Sequence, residues 1–427
     1  MLEKQLRKYI FPNILSMAGI SVYILADTFF ISVAEGTDGI TALNIVLPLY
    51  GIIYALGAML GVGAATRYAL HKAVGNKSAD EYFSNSFMWS LIISLPFVIM
   101  GFTMPDTILT LMGADAKILQ VGLDYIKIVL WCTPFFILNY TFTSFVRNDG
   151  APNIAMAATL ISGGFNIVFD YILMFPMKMG IAGAALATGI SPIVSMLICM
   201  CHYLSKKNTI KFVKKLPSVH KLIESCKLGM VAFVGEISSG ITTLVFNFIL
   251  LDLAGNIAVA AYGVIANTAI IVTALLNGVA QGLQPLASEM HGKNDLISEK
   301  KIYRSSLRIA IVISLIAIVF IFAFPHLPVN LFNSENSSVL SLYATKGIKI
   351  YFTGFFIAAV NIVVAAFYSA TDKARESSVI AISRGVVAIV VFAFILSKMF
   401  GITGVWLAFP VAEIFTFLLS KFIKKLC

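Results

Sequence analysis

Two carboxylates, an amide and a hydroxyl stand in stretches otherwise built from apolar side chains. They are Asp27 in "LADTFFIS" (Leu25 to Ser32), Asn166 and Asp170 in "FNIVFDYI" (Phe165 to Ile172), and Thr188 in "GIAGAALATGIS" (Gly180 to Ser191). Asn166 and Asp170 are one helical turn apart and would share a face. Ala184, one turn before Thr188, leaves space and a backbone carbonyl beside it. Carboxylate, amide and hydroxyl oxygens are the hard ligands a small cation takes. Two carboxyls close together in a low dielectric can instead carry a proton. Na+ and H+ ask for nearly the same side chains, so the residues leave both open, and either use would couple an ion gradient to a conformational change. The plainer reading is that these groups hydrogen-bond neighbouring helices. It suits Asn166 or Thr188 taken alone, but suits two carboxylates with no cation at their depth poorly.

Three more ionisable residues fall in apolar stretches: Glu236, Arg384 and Glu413. Counted at about 1.5 Å per helical residue, they lie about 13, 10 and 14 Å from the cytoplasmic face. Equal depth and opposite sign predict that Arg384 neutralises one or both glutamates, a polar network in the second half of the chain. The same count puts Asp27, Asn166 and Asp170 about 27, 20 and 25 Å from that face, and Thr188 about 12 Å below the other. The four oxygen-bearing side chains are therefore expected to converge in the outer half of a membrane.

The elements that must position them are membrane spans. The chain has 427 residues, 59% hydrophobic and 12% charged, with a mean hydropathy of +0.91. A soluble chain of this length needs far more polar surface. Apolar runs long enough to cross a bilayer core of roughly 30 Å recur from end to end. Breakers between them predict twelve spans, at 9–33, 41–66, 84–104, 121–146, 153–175, 181–204, 227–251, 256–286, 305–325, 343–369, 377–400 and 402–423. The first run follows a basic start (Lys4, Arg7, Lys8) but is about twice the length of a signal-peptide core, so it is expected to stay as a spanning helix. "GAMLGVG" (Gly57 to Gly63) has small residues four apart, a signal for close helix packing. The five cysteines (Cys132, Cys199, Cys201, Cys226, Cys427) show no zinc or disulfide spacing and read as small core residues.

Charge sets the orientation. With both termini cytoplasmic, 24 of the 31 lysines and arginines fall on the inside, the largest group in the connection Ser205 to Lys227. The net charge of +10 thus follows from topology and calls for no nucleic acid. An internal repeat is also legible. "GIAGAALAT" (Gly180 to Thr188) recurs as "GITGVWLAF" (Gly401 to Phe409), and "AVGNKSADE" (Ala73 to Glu81) has a counterpart in "MHGKNDLISE" (Met290 to Glu299), at nearly equal offsets. Two six-span halves of the same orientation follow, residues 1–215 with the cation site and residues 216–427, with the substrate site expected between them. Carried along the first match, the offset sets Asn166 against Val387, Asp170 against Val391 and Thr188 against Phe409. The second half keeps the helices and loses the cluster, as expected if the ion site exists once.

Taken in order, "LADTFFIS", "RNDGAPNIAM" (Arg147 to Met156), "FNIVFDYI", "GIAGAALATGIS" and "VAQGLQPLASEMHGK" (Val279 to Lys293) resemble the multidrug and toxic compound extrusion (MATE) family, in its bacterial DinF/MepA-like branch, over essentially the whole chain. The resemblance implies an all-α integral membrane protein, two pseudo-symmetric six-helix bundles, a V-shaped cavity and export coupled to H+ or Na+. It carries the family's first-lobe cation site onto Asp27, Asn166, Asp170 and Thr188, lined by Ala184. A glutamate of the seventh helix that matters in some members falls at Glu236. Some relatives carry an acidic residue in the tenth helix, where this chain has Asn361.

The leading expectation is an ion-coupled antiporter, not an enzyme, that exports amphipathic, often cationic drugs or metabolites by alternating access. It would be a monomer of the cell inner (plasma) membrane, in contact with lipids, with no cofactor beyond the coupling ion. A flippase for lipid-linked precursors is the alternative. Its pyrophosphate cargo calls for several embedded Arg or Lys, and only Arg384 is embedded. An embedded enzyme lacks its catalytic constellation here, and a receptor gives no reason for two six-span halves.

Overall fold

The computed structural model describes residues 2–332 and 337–426, which are helical apart from short connections. In chain order the helices are α1 (Leu2–Ala73), α2 (Ala79–Thr103), α3 (Pro105–Leu111), α4 (Ala116–Trp131), α5 (Thr133–Asn148), α6 (Pro152–Met174), α7 (Gly180–Tyr203) and α8 (Val219–Gly292). They continue with α9 (Leu296–Ala323), α10 (His326–Phe332), α11 (Ser338–Thr353), α12 (Phe355–Ala370), α13 (Ala374–Ile382), a π-helical turn (Ser383–Val387), α14 (Ala388–Phe400) and α15 (Ile402–Leu426). Local chemistry sets several boundaries. Asp115 caps α4 by accepting from the Ile118 N–H at 2.8 Å, and Asp295 caps α9 through the Ser298 N–H at 3.0 Å. Pro105 and Pro152 open α3 and α6, where a missing N–H costs nothing.

Among the described residues ten helices, the two arms of α1 counted separately, are long and apolar enough to cross a membrane, and the bent pair α11 and α12 supplies a further span. One of the ten, α8, has 74 residues, about 110 Å at 1.5 Å per residue, far more than one crossing needs. It breaks at Ala254 and Gly255, where the glycine takes φ 68°. Each arm is long enough to span, so the described residues provide the expected twelve spans. In the same way α1 breaks at Gly36 (φ 59°) into arms Glu3–Gly36 and Asp38–Ala73. A left-handed φ is open to glycine at little cost, which is why both reversals fall on one.

The backbone groups into two compact units, Leu15–Glu236 and Ile237–Cys427 together with Met1–Ile14. The first has a core around Ile126, Val129, Leu130, Ile137 and Ala184. Glycines let its helices approach closely. A Cβ on Gly61 would lie 2.6 Å from the Tyr140 carbonyl oxygen, and one on Gly57 would lie 2.8 Å from the Tyr140 ring. The small residues of "GAMLGVG" thus pack α1 against α5, as their spacing predicts. The second unit is built around Ile265, Leu276, Phe352 and Trp406, and the first turns of the chain lie on Gly278 and Gly282 of α8. Of the described cysteines only Cys199 is buried. Cys201 is exposed, so it is not the core residue expected, and Cys427 lies outside the described residues.

Burial patterns test the repeat residue by residue. Along α7 and α15 the sequence register holds: buried Gly183, Ala184, Ala185, Ala187 and Gly189 stand against buried Gly404, Val405, Trp406, Ala408 and Pro410. On the preceding helices it does not. Asn166 and Asp170 are 1% and 0% exposed, whereas Val387 and Val391 are 52% and 46% exposed. Early in α6, Ala155, Ala158 and Gly163 match buried Ser377, Ile380 and Gly385, already one residue past the register of α7 and α15. Later, Asn166, Asp170 and Met174 match buried Ile389, Ala393 and Ser397, one residue further along. The π-helical turn, which holds Gly385 and ends before Ile389, supplies that second extra residue. The true counterparts of the polar pair are Ile389 and Ala393, and Val387 and Val391 face outward. Both registers leave the second unit apolar there.

Candidate functional site

Three helices of the first unit carry the sequence-predicted cation residues, and missing side chains bring them together. Gly19 of α1 faces Leu160 of α6, and the Tyr23 ring lies 3.2 Å from where a Cβ of Gly163 would be. Gly183 of α7 likewise admits the Leu173 backbone of α6 at 2.9 Å. One turn beyond Tyr23 comes Asp27, and one turn beyond Gly163 come Asn166 and then Asp170.

Asn166 organises the cluster. Its Nδ2 donates to Thr188 Oγ1 at 3.1 Å, joining α6 to α7, and to Asp170 Oδ1 at 3.4 Å, one turn along its own helix. Both donor directions are spent, and the Asn166 Oδ1 is left buried without a hydrogen-bond partner among the described residues. Asp170 Oδ2 and Asp27 Oδ1 are in the same condition. The two carboxyl groups lie close enough to interact directly. Ala184 is fully buried one turn before Thr188. The site therefore offers three buried acceptor oxygens with no donor, and that deficit is costly unless something electropositive meets it. Hard oxygens of two carboxylates and an amide fit Na+, and the paired carboxyls fit H+ equally well. Among the described residues no group of three His, Cys, Asp or Glu could hold a metal ion.

Tyrosines surround this cluster, and the chain's pattern sets few of them apart. Tyr125 lies within electrostatic reach of Asp27 and Asp170, and Tyr23 within reach of Asp27 and Glu236. Tyr140 donates to Glu236 Oε1 at 3.1 Å. Helical spacing from Asp27 was a signal for Tyr23. None existed for Tyr125 and Tyr140, since membrane helices carry many aromatics for other reasons.

In the second unit Arg384 pairs with Glu413: Nη2 and Nε donate to Oε1 at 2.7 and 3.2 Å. Asn361, which the sequence reading noted for its place in the tenth span, donates to Glu413 Oε2 at 2.7 Å. Glu236 belongs to the first unit, where Tyr140 holds it.

A further cluster fixes the polar connection after α7. Asp149, its side chain fully buried, accepts from Lys72 Nζ at 2.5 Å, from Tyr68 at 2.9 Å, from the Thr209 N–H at 2.9 Å and from the Thr209 hydroxyl; its Oδ2 lies 2.7 Å from His202 Nε2. Burial pushes the Asp149 carboxyl up, but the bonds from Lys72, Thr209 and His202 outweigh it and hold the group below the usual carboxylate range. Further along, Lys211 N–H donates to Asp80 at 3.1 Å, Val213 N–H to Ser84 at 2.7 Å and Ser218 N–H to Asn85 at 2.6 Å. Glu81 takes Lys215 at 2.7 Å and also Lys221, which lowers its pKa. The connection is a strap tied to α1, α2 and the α5–α6 turn.

The comparison that decides the family is with the family described as MatE, whose model matches residues 12–172 and 232–395. The chain belongs to the MatE family. It is a membrane transporter and not an enzyme. MatE relatives include the multidrug export protein MepA of Staphylococcus aureus (strain MRSA252), 30% identical over 397 residues that cover 92% of this chain and 86% of the relative. MepA of Staphylococcus haemolyticus (strain JCSC1435) is 29% identical over 94% of this chain and 88% of its own length. The fold matches an outward-facing conformation of a multidrug resistance MATE family transporter of the MOP superfamily, with a TM-score of 0.92 at 22% identity, over 100% of this chain and 95% of that one. A MOP superfamily transporter from Pyrococcus furiosus matches with a TM-score of 0.91 at 22% identity, over the same shares.

Proposed function

We propose that the chain is an ion-coupled antiporter that exports amphipathic, often cationic compounds by alternating access, with H+ or Na+ bound at Asp27, Asn166, Asp170 and Thr188. The observation that carries this reading is the set of three buried acceptor oxygens on Asp27, Asn166 and Asp170 that no donor among the described residues meets. A bound cation or proton satisfies them. Once it leaves, two carboxyl groups face each other in a low-dielectric interior, and repulsion disfavours both being ionised. Loaded and empty chains then prefer different packings of α1 against α6 and α7, and this difference is what a gradient can drive. The multidrug export relatives support the substrate class. The lysine-rich strap supports, by the gathering of positive charge on the cytoplasmic side, a plasma-membrane orientation with both termini in the cytoplasm. The chain works as a monomer, and residues 1–215 and 216–427 are its two functional halves.

The test is accumulation of a fluorescent lipophilic cation in vesicles carrying the purified protein, under a proton gradient or a sodium gradient applied separately. Accumulation driven by one of the two is the expected result. Equal accumulation with neither gradient imposed would overturn the reading.

A further inference from the structure

The unit that lacks the Asn166–Asp170 pair has a buried carboxylate of its own. Glu413 on α15 is 1% exposed, and the shared register of α7 and α15 sets it at the place of Pro192, one turn beyond Thr188. Arg384 donates to both its oxygens, to Oε1 at 2.7 and 3.2 Å and to Oε2 at 3.4 Å. Asn361 Nδ2 holds Oε2 at 2.7 Å and the Glu413 carbonyl at 2.9 Å. Ser383 and Thr416, beside Arg384 and a turn beyond Glu413, share a hydroxyl hydrogen bond of 3.0 Å. Tyr351 lies within electrostatic reach of both charges. Asn361 is fully buried, and its Oδ1 has no hydrogen-bond partner among the described residues.

This inventory parallels the first unit: a buried carboxylate and a buried asparagine whose nitrogen is spent and whose oxygen is free. The difference is what meets the carboxylate. In the first unit no donor among the described residues reaches Asp27 Oδ1 or Asp170 Oδ2. Here a guanidinium does, and arginine keeps its proton in proteins, so the charge cannot exchange with a gradient. The π-helical turn is where it enters. Its extra residue lies beside Arg384, at a point that α6 fills with Ser162 and no inserted residue.

We propose that Arg384 is a tethered counter-cation. It fills a monovalent-cation site built from Glu413 and Asn361, and it thereby leaves the chain one exchangeable ion site in place of two. The meaning of this for transport rests on the coupling reading above, but its readout does not.

The experiment counts ions bound per chain on purified protein, with 22Na+ at pH 8 in one arm and indicator-dye proton uptake on a jump from pH 8 to pH 6 without sodium in the other. Arg384→Met is expected to bind one more Na+ or one more H+ than the unmodified chain. Adding Glu413→Gln to it should abolish the gain. No gain in either arm would overturn the proposal. The charge-neutral double variant guards against a single variant that fails to fold, since it leaves no buried charge unpaired. It should bind as many ions as the unmodified chain, and one fewer would mean that Glu413 was exchangeable all along. If the unmodified chain binds no ion, the coupling reading fails, and a gain in Arg384→Met would still establish the tethered cation.

Discussion

Asn166 spends its amide nitrogen on Thr188 Oγ1 at 3.1 Å and on Asp170 Oδ1 at 3.4 Å, and its own oxygen meets no donor among the described residues. One side chain thus locks α6 to α7 and aims an acceptor into the candidate site. The two jobs separate in variants. Thr188→Val removes the lock and the Thr188 hydroxyl but keeps the Asn166 acceptor, and loss of one hydrogen bond of about 1 kcal/mol predicts roughly 5-fold weaker apparent ion affinity. Asn166→Leu removes the acceptor as well and should end gradient-driven transport. The check is the ion concentration that gives half-maximal transport, and equal effects from the two variants would contradict the division of roles.

Gly61 and Gly164 make a matched pair for packing. A Cβ at Gly61 meets the Tyr140 backbone, which cannot rotate away, whereas a Cβ at Gly164 meets nothing within 4 Å. Gly61→Ala is expected to destabilise by about 1–3 kcal/mol through overpacking. Gly164→Ala should be neutral or stabilise by about 0.5–1 kcal/mol by removing chain freedom. Thermal unfolding of the purified variants measures both. A Gly61→Ala variant as stable as Gly164→Ala would remove close packing as the reason for the glycine.

The strap should loosen in acid. The Asp149 and Glu81 carboxyls are held below their ordinary range, Asp149 by bonds that outweigh its burial and Glu81 by Lys215 and Lys221. Groups with lowered folded values bind protons more readily in the unfolded chain, so stability rises with pH across their titration. Their contribution is fully present above the ordinary carboxylate pKa of about 4 and disappears as pH falls through the lowered folded values. Hydrogen exchange at the Thr209, Lys211 and Val213 amides, corrected for intrinsic rate, should show protection that holds from pH 7 to pH 5 and falls below pH 4. Protection that grows on acidification would contradict it.

The spans and the cation residues were legible because lipid forces a simple rule: long apolar runs cross, and a charge inside one needs a reason. Asp27, Asn166, Asp170 and Thr188 stood out against that background before any contact was known. The register of α13 and α14 was not legible. The buried face moves two residues, from Val387 and Val391 to Ile389 and Ala393, one of them the extra residue of a π-helical turn, and all four are apolar, so the sequence carries no mark of the shift. The strap was hidden for another reason. Its main-chain N–H groups are met by Asp149, Asp80, Ser84 and Asn85, from segments distant in the chain, and such pairings exist only after folding. Arg384 and Glu413 were read as partners by depth alone, while Glu236, at similar depth, is held by Tyr140.

The central claim is that Asp27 and Asp170 couple an ion gradient to export. Its most direct test is gradient-driven accumulation of a fluorescent cation in vesicles carrying Asp27→Asn or Asp170→Asn, with thermal unfolding of each variant as the check on folding. Both variants should fold like the unmodified chain, and neither should accumulate substrate under a proton or a sodium gradient. Normal gradient-driven accumulation by both variants would contradict it.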